Sequence, residues 1–186
     1  STGRISCSAM EDIPSGNVTN VDPRARECYV PPAPDDESEW VICSIDYSGM
    51  ELVTLAQTVY NLLGRSTHRD YLNAGVDLHG FLGANIAYNT HHEFRDYAKS
   101  LGADTHSRIY DAFAPFKKAP DDSEVFKFYD EKRTMAKPTG LGYPGGLGPE
   151  TFISFAKGSY GLKIDLHTAT RLRDIWYEVH PDMHEY

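Results

Sequence analysis

From residue 48 to the end of the chain, apolar residues recur at three- to four-residue spacing in seven stretches, near 48–63, 77–88, 91–101, 105–116, 121–137, 149–157 and 165–179. Side chains three and four apart share one face of an α-helix, so this periodicity restricts the region to an array of packed helices. Gly64, Gly75, Gly102 and Gly158 read as stops, because glycine enters the left-handed conformation that ends a helix without steric cost. Ahead of the array the pattern changes. RECYV (26–30) and WVICSID (40–46) read as the strands of a β-hairpin, joined through the turn PPAPDDESE (31–39) and preceded by a loop over 7–25. The expected fold is α+β and predominantly helical: a small antiparallel sheet, then helices.

Composition sets outer limits. A chain of 186 residues with 40% hydrophobic side chains can bury a core of one domain or slightly more. No apolar run approaches the eighteen or so residues of a membrane span, and STGRISCSAM lacks an apolar signal region, so a cytoplasmic protein with no membrane partner is expected. Cys7, Cys28 and Cys43 form no C-x-x-C pair and suit reduced thiols. A net charge of −9 opposes a broad grip on a polyanion, so any nucleic-acid contact must be local or assisted by metal ions or other protein.

In WVICSIDYSGMEL an apolar strand runs into Asp46 and the pattern then turns helical. A carboxylate at a sheet rim beside a free backbone carbonyl, here that of Tyr47, makes a half-site for Mg²⁺, which takes hard oxygen ligands. Ser48 with Glu51 also spells the capping box S-x-x-E, and one helix start can serve both purposes. Further on, Arg133 and Lys137 stand four apart and would leave one face of a helix together, although a solvated charged face would look the same. The stretch GLGYPGGLG (140–148) contains G-x-G-x-x-G, with Asp165 at the offset of a ribose-binding acid. A dinucleotide site needs a strand before those glycines, and SEVFKFYDEKRTMAK has helical spacing instead. Among the histidines, His79 opens a helix after Asp77, His91 and His92 are adjacent and chelate poorly, and His180 and His184 are four apart as a chelating pair would be.

Taken in order, the segments resemble the family A DNA polymerases, the group of bacterial DNA polymerase I and many phage replicative enzymes. STGRISCS is similar to T-G-R-L-S-S, MEDIPS to N-L-Q-N-I-P, and RARECYVPP to R-I-R-x-x-F-x-x-P. SIDYSGMEL resembles motif A (D-Y-S-Q-I-E-L), NAGVDLH the A-G-x-D-I-H after it, and RTMAKPTGLGYPGG motif B (R-x-x-x-K-x-x-x-F/Y-G-x-x-Y-G). The resemblance implies a phage-type fragment: partial palm with motif A over 1–60, fingers with the motif B helix over 61–165, and the start of a return to the palm over 166–186. It implies template-directed DNA synthesis, with primer-template DNA and dNTP as partners, in the host cytoplasm.

Residue by residue, the resemblance makes Asp46 one of two metal-holding aspartates, with the Tyr47 carbonyl as a further ligand to a site of two Mg²⁺ ions. Glu51 would exclude a 2′-hydroxyl from the incoming sugar, and Arg133, Lys137 and His79 would bind the triphosphate. Arg4 would reach the minor groove of the DNA at the primer terminus. The glycines would continue the fingers helix near the templating base, where a bulky side chain would obstruct the nascent pair. Leu141 and Tyr143 fall in the nucleotide-facing part of motif B. Leu141 replaces the family's stacking aromatic, Gly145 replaces a second one for which Tyr143 is the candidate substitute, and Pro138 should kink the helix after Lys137. Motif C, the His-Asp-Glu turn with the second aspartate, does not occur, so a further polypeptide segment would have to complete the site and the chain alone should be inactive. Against this stand two rivals, a non-catalytic helical nucleotide- or nucleic-acid-binding module and a nucleotide-binding oxidoreductase built on residues 140–165.

Overall fold

The computed structural model describes residues 49–186, which belong to one compact unit. Arg4, Asp46, Tyr47 and the expected hairpin lie outside the described residues. Within them the chain forms α1 (Met50–Leu63), α2 (Thr67–Asn73), α3 (Leu78–Thr90), α4 (His92–Ser100), α5 (His106–Phe113), α6 (Glu124–Gly142), α7 (Pro149–Tyr160) and α8 (Leu166–Val179), with 3₁₀ turns at Ala114–Lys118 and Pro181–His184. The described part is predominantly helical and contains no strand. None of its helices is long and apolar enough to cross a membrane.

Local chemistry accounts for most helix ends. Ser66, Asp77, Thr105, Ser123 and Asp165 each accept a hydrogen bond from an amide in the first turn of α2, α3, α5, α6 and α8, which satisfies a donor the helix itself cannot. α4 is capped by the His91 imidazole, whose Nδ1 accepts from the Phe94 amide. Two expectations are corrected. α1 starts one residue later than a Ser48 capping box requires, with Gly49 at its N-cap in the left-handed conformation and no side-chain cap. α7 passes through Gly158 and stops at Gly161, the glycine whose φ of 68° closes the last turn. α2 has no counterpart among the periodic stretches, since THRDYLN carries too few apolar residues to show a period.

α3 explains the layout. LHGFLGANIAY is apolar nearly all round, as expected of a helix covered on every side. One side of α3 enters a core with Val59, Phe152, Leu172 and Trp176 through Phe81, Leu82 and Ile86. The other joins Phe94, Ile109, Phe113 and Tyr129 through Ala84 and Ala87. Its most extensive partner is α6. At their crossing a Cβ on Gly83 would lie 3.1 Å from the Arg133 amide nitrogen and 3.2 Å from its Cα, so Gly83 is what lets the two backbones meet.

The C-terminal end folds back onto α2. Buried Asp182 accepts from the Thr67 amide at 2.8 Å and from its hydroxyl at 2.7 Å, and Arg65 pairs with Glu185 beside it. Below this clasp the rings of His68 and His180 stack at 4.1 Å, each 1% exposed.

Candidate functional site

α6 carries Arg133 and Lys137 one turn apart, and the helix runs on through buried Pro138 and Gly140 to Gly142. Proline has no N–H to return to the carbonyl four residues back, so the turn holding both cations lacks one ladder bond. Facing it is the start of α3. Asp77 caps α3 by accepting from the His79 amide at 3.2 Å, and the same carboxylate takes the Arg133 Nε at 2.8 Å and Nη2 at 3.4 Å. One acid therefore fixes a helix start and the direction of a guanidinium from another helix. Two of the five N–H donors of Arg133 are used this way.

The electrostatics follow from that geometry. Burial alone would raise the Asp77 pKa, but the hydrogen bond and charge of Arg133, with the Gly80 amide, hold it below the usual carboxylate range. Arg133 is raised in turn: its desolvation is outweighed by Asp77. Burial lowers His79, and Arg133 and Lys137 push the same way, while Asp77 and Glu51 oppose them. His79 is therefore biased toward the neutral form, which offers one nitrogen as donor and one as acceptor.

The structure thus brings together Glu51, His79, Arg133 and Lys137, from three helices. None is fully buried, and Glu51 in the first turn of α1 is exposed. Gly140 belongs to the same face, since a Cβ there would lie 3.9 Å from the His79 Nδ1. Leu141, one turn beyond Lys137, is half-buried. Tyr143 is placed elsewhere: 3% exposed, stacked on Phe152 at 4.5 Å, its hydroxyl donating to the Ala169 carbonyl at 2.6 Å. It is a core residue, turned away from the face of Lys137 where the resemblance expected it. The reason is rotation around α6: Tyr143, the C-cap six residues past Lys137, points about 120° away from it, toward the core.

Asp77 is the site residue that sequence reasoning missed. Its capping role is legible in DLHG, but nothing in the sequence links it to an arginine 56 positions away. Two other readings end here. The oxidoreductase fails because α6, not a strand, leads into the glycines, and Asp165 is occupied in capping α8. The His180–His184 chelate fails because His180 is stacked on His68 while His184 stacks on Tyr177 at 4.4 Å. Among the described residues no group of three or more His, Cys, Asp or Glu could hold a metal ion, and the expected Mg²⁺ ligands lie outside them. Two cations and a neutral imidazole on one solvent-reached face suit the oxygens of a polyphosphate. Comparison with protein-family models, curated proteins and solved structures found no match to this chain.

Proposed function

We propose that the chain supplies the fingers and part of the palm of a family A DNA-directed DNA polymerase, which transfers a nucleotidyl group from dNTP to a primer 3′-hydroxyl. The observation that carries this reading is that Arg133, Lys137 and Glu51, from positions up to 86 residues apart in the sequence, all come near enough to His79 for their charges to act on it. In the reaction the primer oxygen bonds the α-phosphorus as the bond to the bridging oxygen breaks, and pyrophosphate leaves in line. Arg133 and Lys137 offset the charge that develops on the leaving group, and Asp77 keeps the guanidinium aimed. Neutral His79 donates a hydrogen bond to a phosphate oxygen. Glu51 stands where the sugar is read, and Arg4 serves the primer terminus. Mg²⁺ held by Asp46 and the Tyr47 carbonyl would supply Lewis-acid activation, the second aspartate coming from a further segment.

The decisive experiment replaces Lys137 with Ala in the complete polymerase. The expected result is a fall in kcat/KM for dNTP of roughly 10²-fold, the scale of one lost charge-stabilising contact, with an unchanged melting temperature. Unchanged kcat/KM overturns the reading. One observation favours a non-catalytic helical module instead: Arg133 already has a structural partner in Asp77. Stabilisation of the chain by dNTP in a thermal melt, abolished in Arg133→Ala, argues against a module that keeps Arg133 only as scaffold, and primer extension by the complete polymerase, lost in Lys137→Ala, argues against one that binds nucleotide without catalysis.

A further inference from the structure

Three buried side-chain polar atoms among the described residues have no hydrogen-bond partner, and they stand together: the Nδ1 of His68, the Nδ1 of His180 and the Trp176 Nε1. The His180 ring lies 4.1 Å from that of His68 and 5.8 Å from that of Trp176. A buried polar atom without a partner is destabilising, whereas apolar rings of similar shape would fill the same space without that penalty. The stack is therefore a weak point placed inside the core.

Its position decides what it weakens. His68 belongs to α2, and His180 closes α8 and leads into the last 3₁₀ turn. The same two segments meet again beside it, where Asp182 accepts from the Thr67 amide with one oxygen and from the Thr67 hydroxyl with the other. Neither Nδ1 has an acceptor, so a proton placed there becomes a buried charge without a bond. Burial is the first effect against a proton on either ring. The facing charges divide: Asp182 in the last turn attracts a proton to His68, while His79 from α3 opposes it. At His180 the opposing charges are His68 and, from α5, His106, which lies 2.6 Å from the Asn85 side-chain oxygen. Arg65 is taken up by Glu185, and His184 lies against Tyr177.

The bland explanation is that the pair is an ordinary aromatic contact and that acid unfolds the whole body at once. Against it, the buried residues of the other core, around Phe94, Phe113 and Tyr129, include no histidine, and the α3–α6 crossing at Gly83 is backbone on backbone.

We propose that the stack is an acid-released joint: a proton on His68 or His180 lifts the last turn off α2 while the α3–α6 crossing stays folded. Opening lets water bond each imidazole and uncovers Trp176 and Met183, which are 1% and 4% exposed in the closed form. Burial holds both closed-state pKa values below the ordinary 6.5, His68 at about 4, so the open form binds more protons and gains as pH falls through that window. The proposal does not depend on the polymerase reading, because Arg133 and Lys137 take no part in it.

The test follows amide hydrogen exchange by NMR from about pH 7 to about pH 5, each rate divided by its intrinsic value at that pH. The amides of α2, and of Met183, which bonds the His180 carbonyl, should lose protection roughly tenfold or more, and those of α3 and α6 should keep theirs. His68→Phe/His180→Phe, which keeps two rings and no proton site, should abolish that loss. Asp182→Asn should loosen the joint at every pH and leave the acid response in place, which separates the imidazoles from the carboxylate. Loss of protection in α2, α3 and α6 together overturns the proposal, as does an acid response that survives in the doubly substituted chain. Should that variant not fold, the wild-type histidine C2 protons decide: opening must share its midpoint with the titration of His68 or His180, and a different midpoint overturns the proposal.

Discussion

Two histidine clusters in this chain are built from the same residue type and behave oppositely. His79 is half-buried between Asp77 and Glu51 on one side of the balance and Arg133 and Lys137 on the other. His68 and His180 are shut into the interior, and neither Nδ1 has a hydrogen-bond partner among the described residues. Burial lowers the pKa of all three. At His79 the surrounding charges belong to side chains that solvent partly reaches, and they pull its pKa in both directions. At His68, burial pushes the pKa down to about 4 against the pull of Asp182 and with the help of His79, so a proton there meets desolvation first. The same side chain sits among solvent-reached charges at His79 and is an acid-sensitive weakness where water does not reach it.

The largest expected effect lies in the closed cluster. A histidine whose folded pKa is below its unfolded one contributes stability above about pH 6.5 and loses it as pH falls, because the unfolded chain binds more protons. For His68 the window runs from 6.5 down to about 4 and is worth about 3 kcal/mol at 1.36 kcal/mol per unit. Urea unfolding followed between those limits should show this loss, steepened by His180, which burial and the neighbouring His68 and His106 also depress. The His68→Leu/His180→Leu variant should flatten the profile. A wild-type profile already flat there contradicts the placement of the pair.

Glycine substitutions on the two faces of the α3–α6 contact come next. Gly83→Ala puts a methyl against helix backbone and should cost about 1–3 kcal/mol in chemical denaturation. Gly140→Ala meets only ordinary contacts at 3.7 and 3.9 Å and should gain up to about 1 kcal/mol from helix propensity. If the two variants move stability alike, the helices do not cross at Gly83.

The smallest effect should come from the open cluster. Asp77 and Arg133 are each more than a quarter exposed, so a double-mutant cycle of Asp77→Asn with Arg133→Gln should give a coupling of only about 1 kcal/mol. A coupling above about 3 kcal/mol would mean that the pair belongs to the structure and not to a ligand.

How much of this was legible beforehand depended on whether the information was local. Most helix positions after Met50 and the shared face of Arg133 and Lys137 follow from spacing of four residues or fewer, whereas Asp165, read as a ribose-binding acid by its offset from the glycines, is the N-cap of α8. α2 was missed because its stability comes from partners far along the chain, through Asp182 on Thr67 and the His68–His180 stack. Tyr143 was placed with the ligand because a motif match fixes position but not rotation about the helix, and the aromatic pocket of Phe152 and Trp176 decides the rotation. Asp77 as a partner of Arg133 required knowing which helices cross.

The clasp between Thr67 and Asp182 joins positions 115 apart in the chain. It therefore ties the second helix to the last turn, two elements that no local sequence signal connects. One carboxylate thus serves two ends at once: replacing Asp182 would leave the Thr67 amide and hydroxyl without their acceptor and cut a link of the final turn to the body.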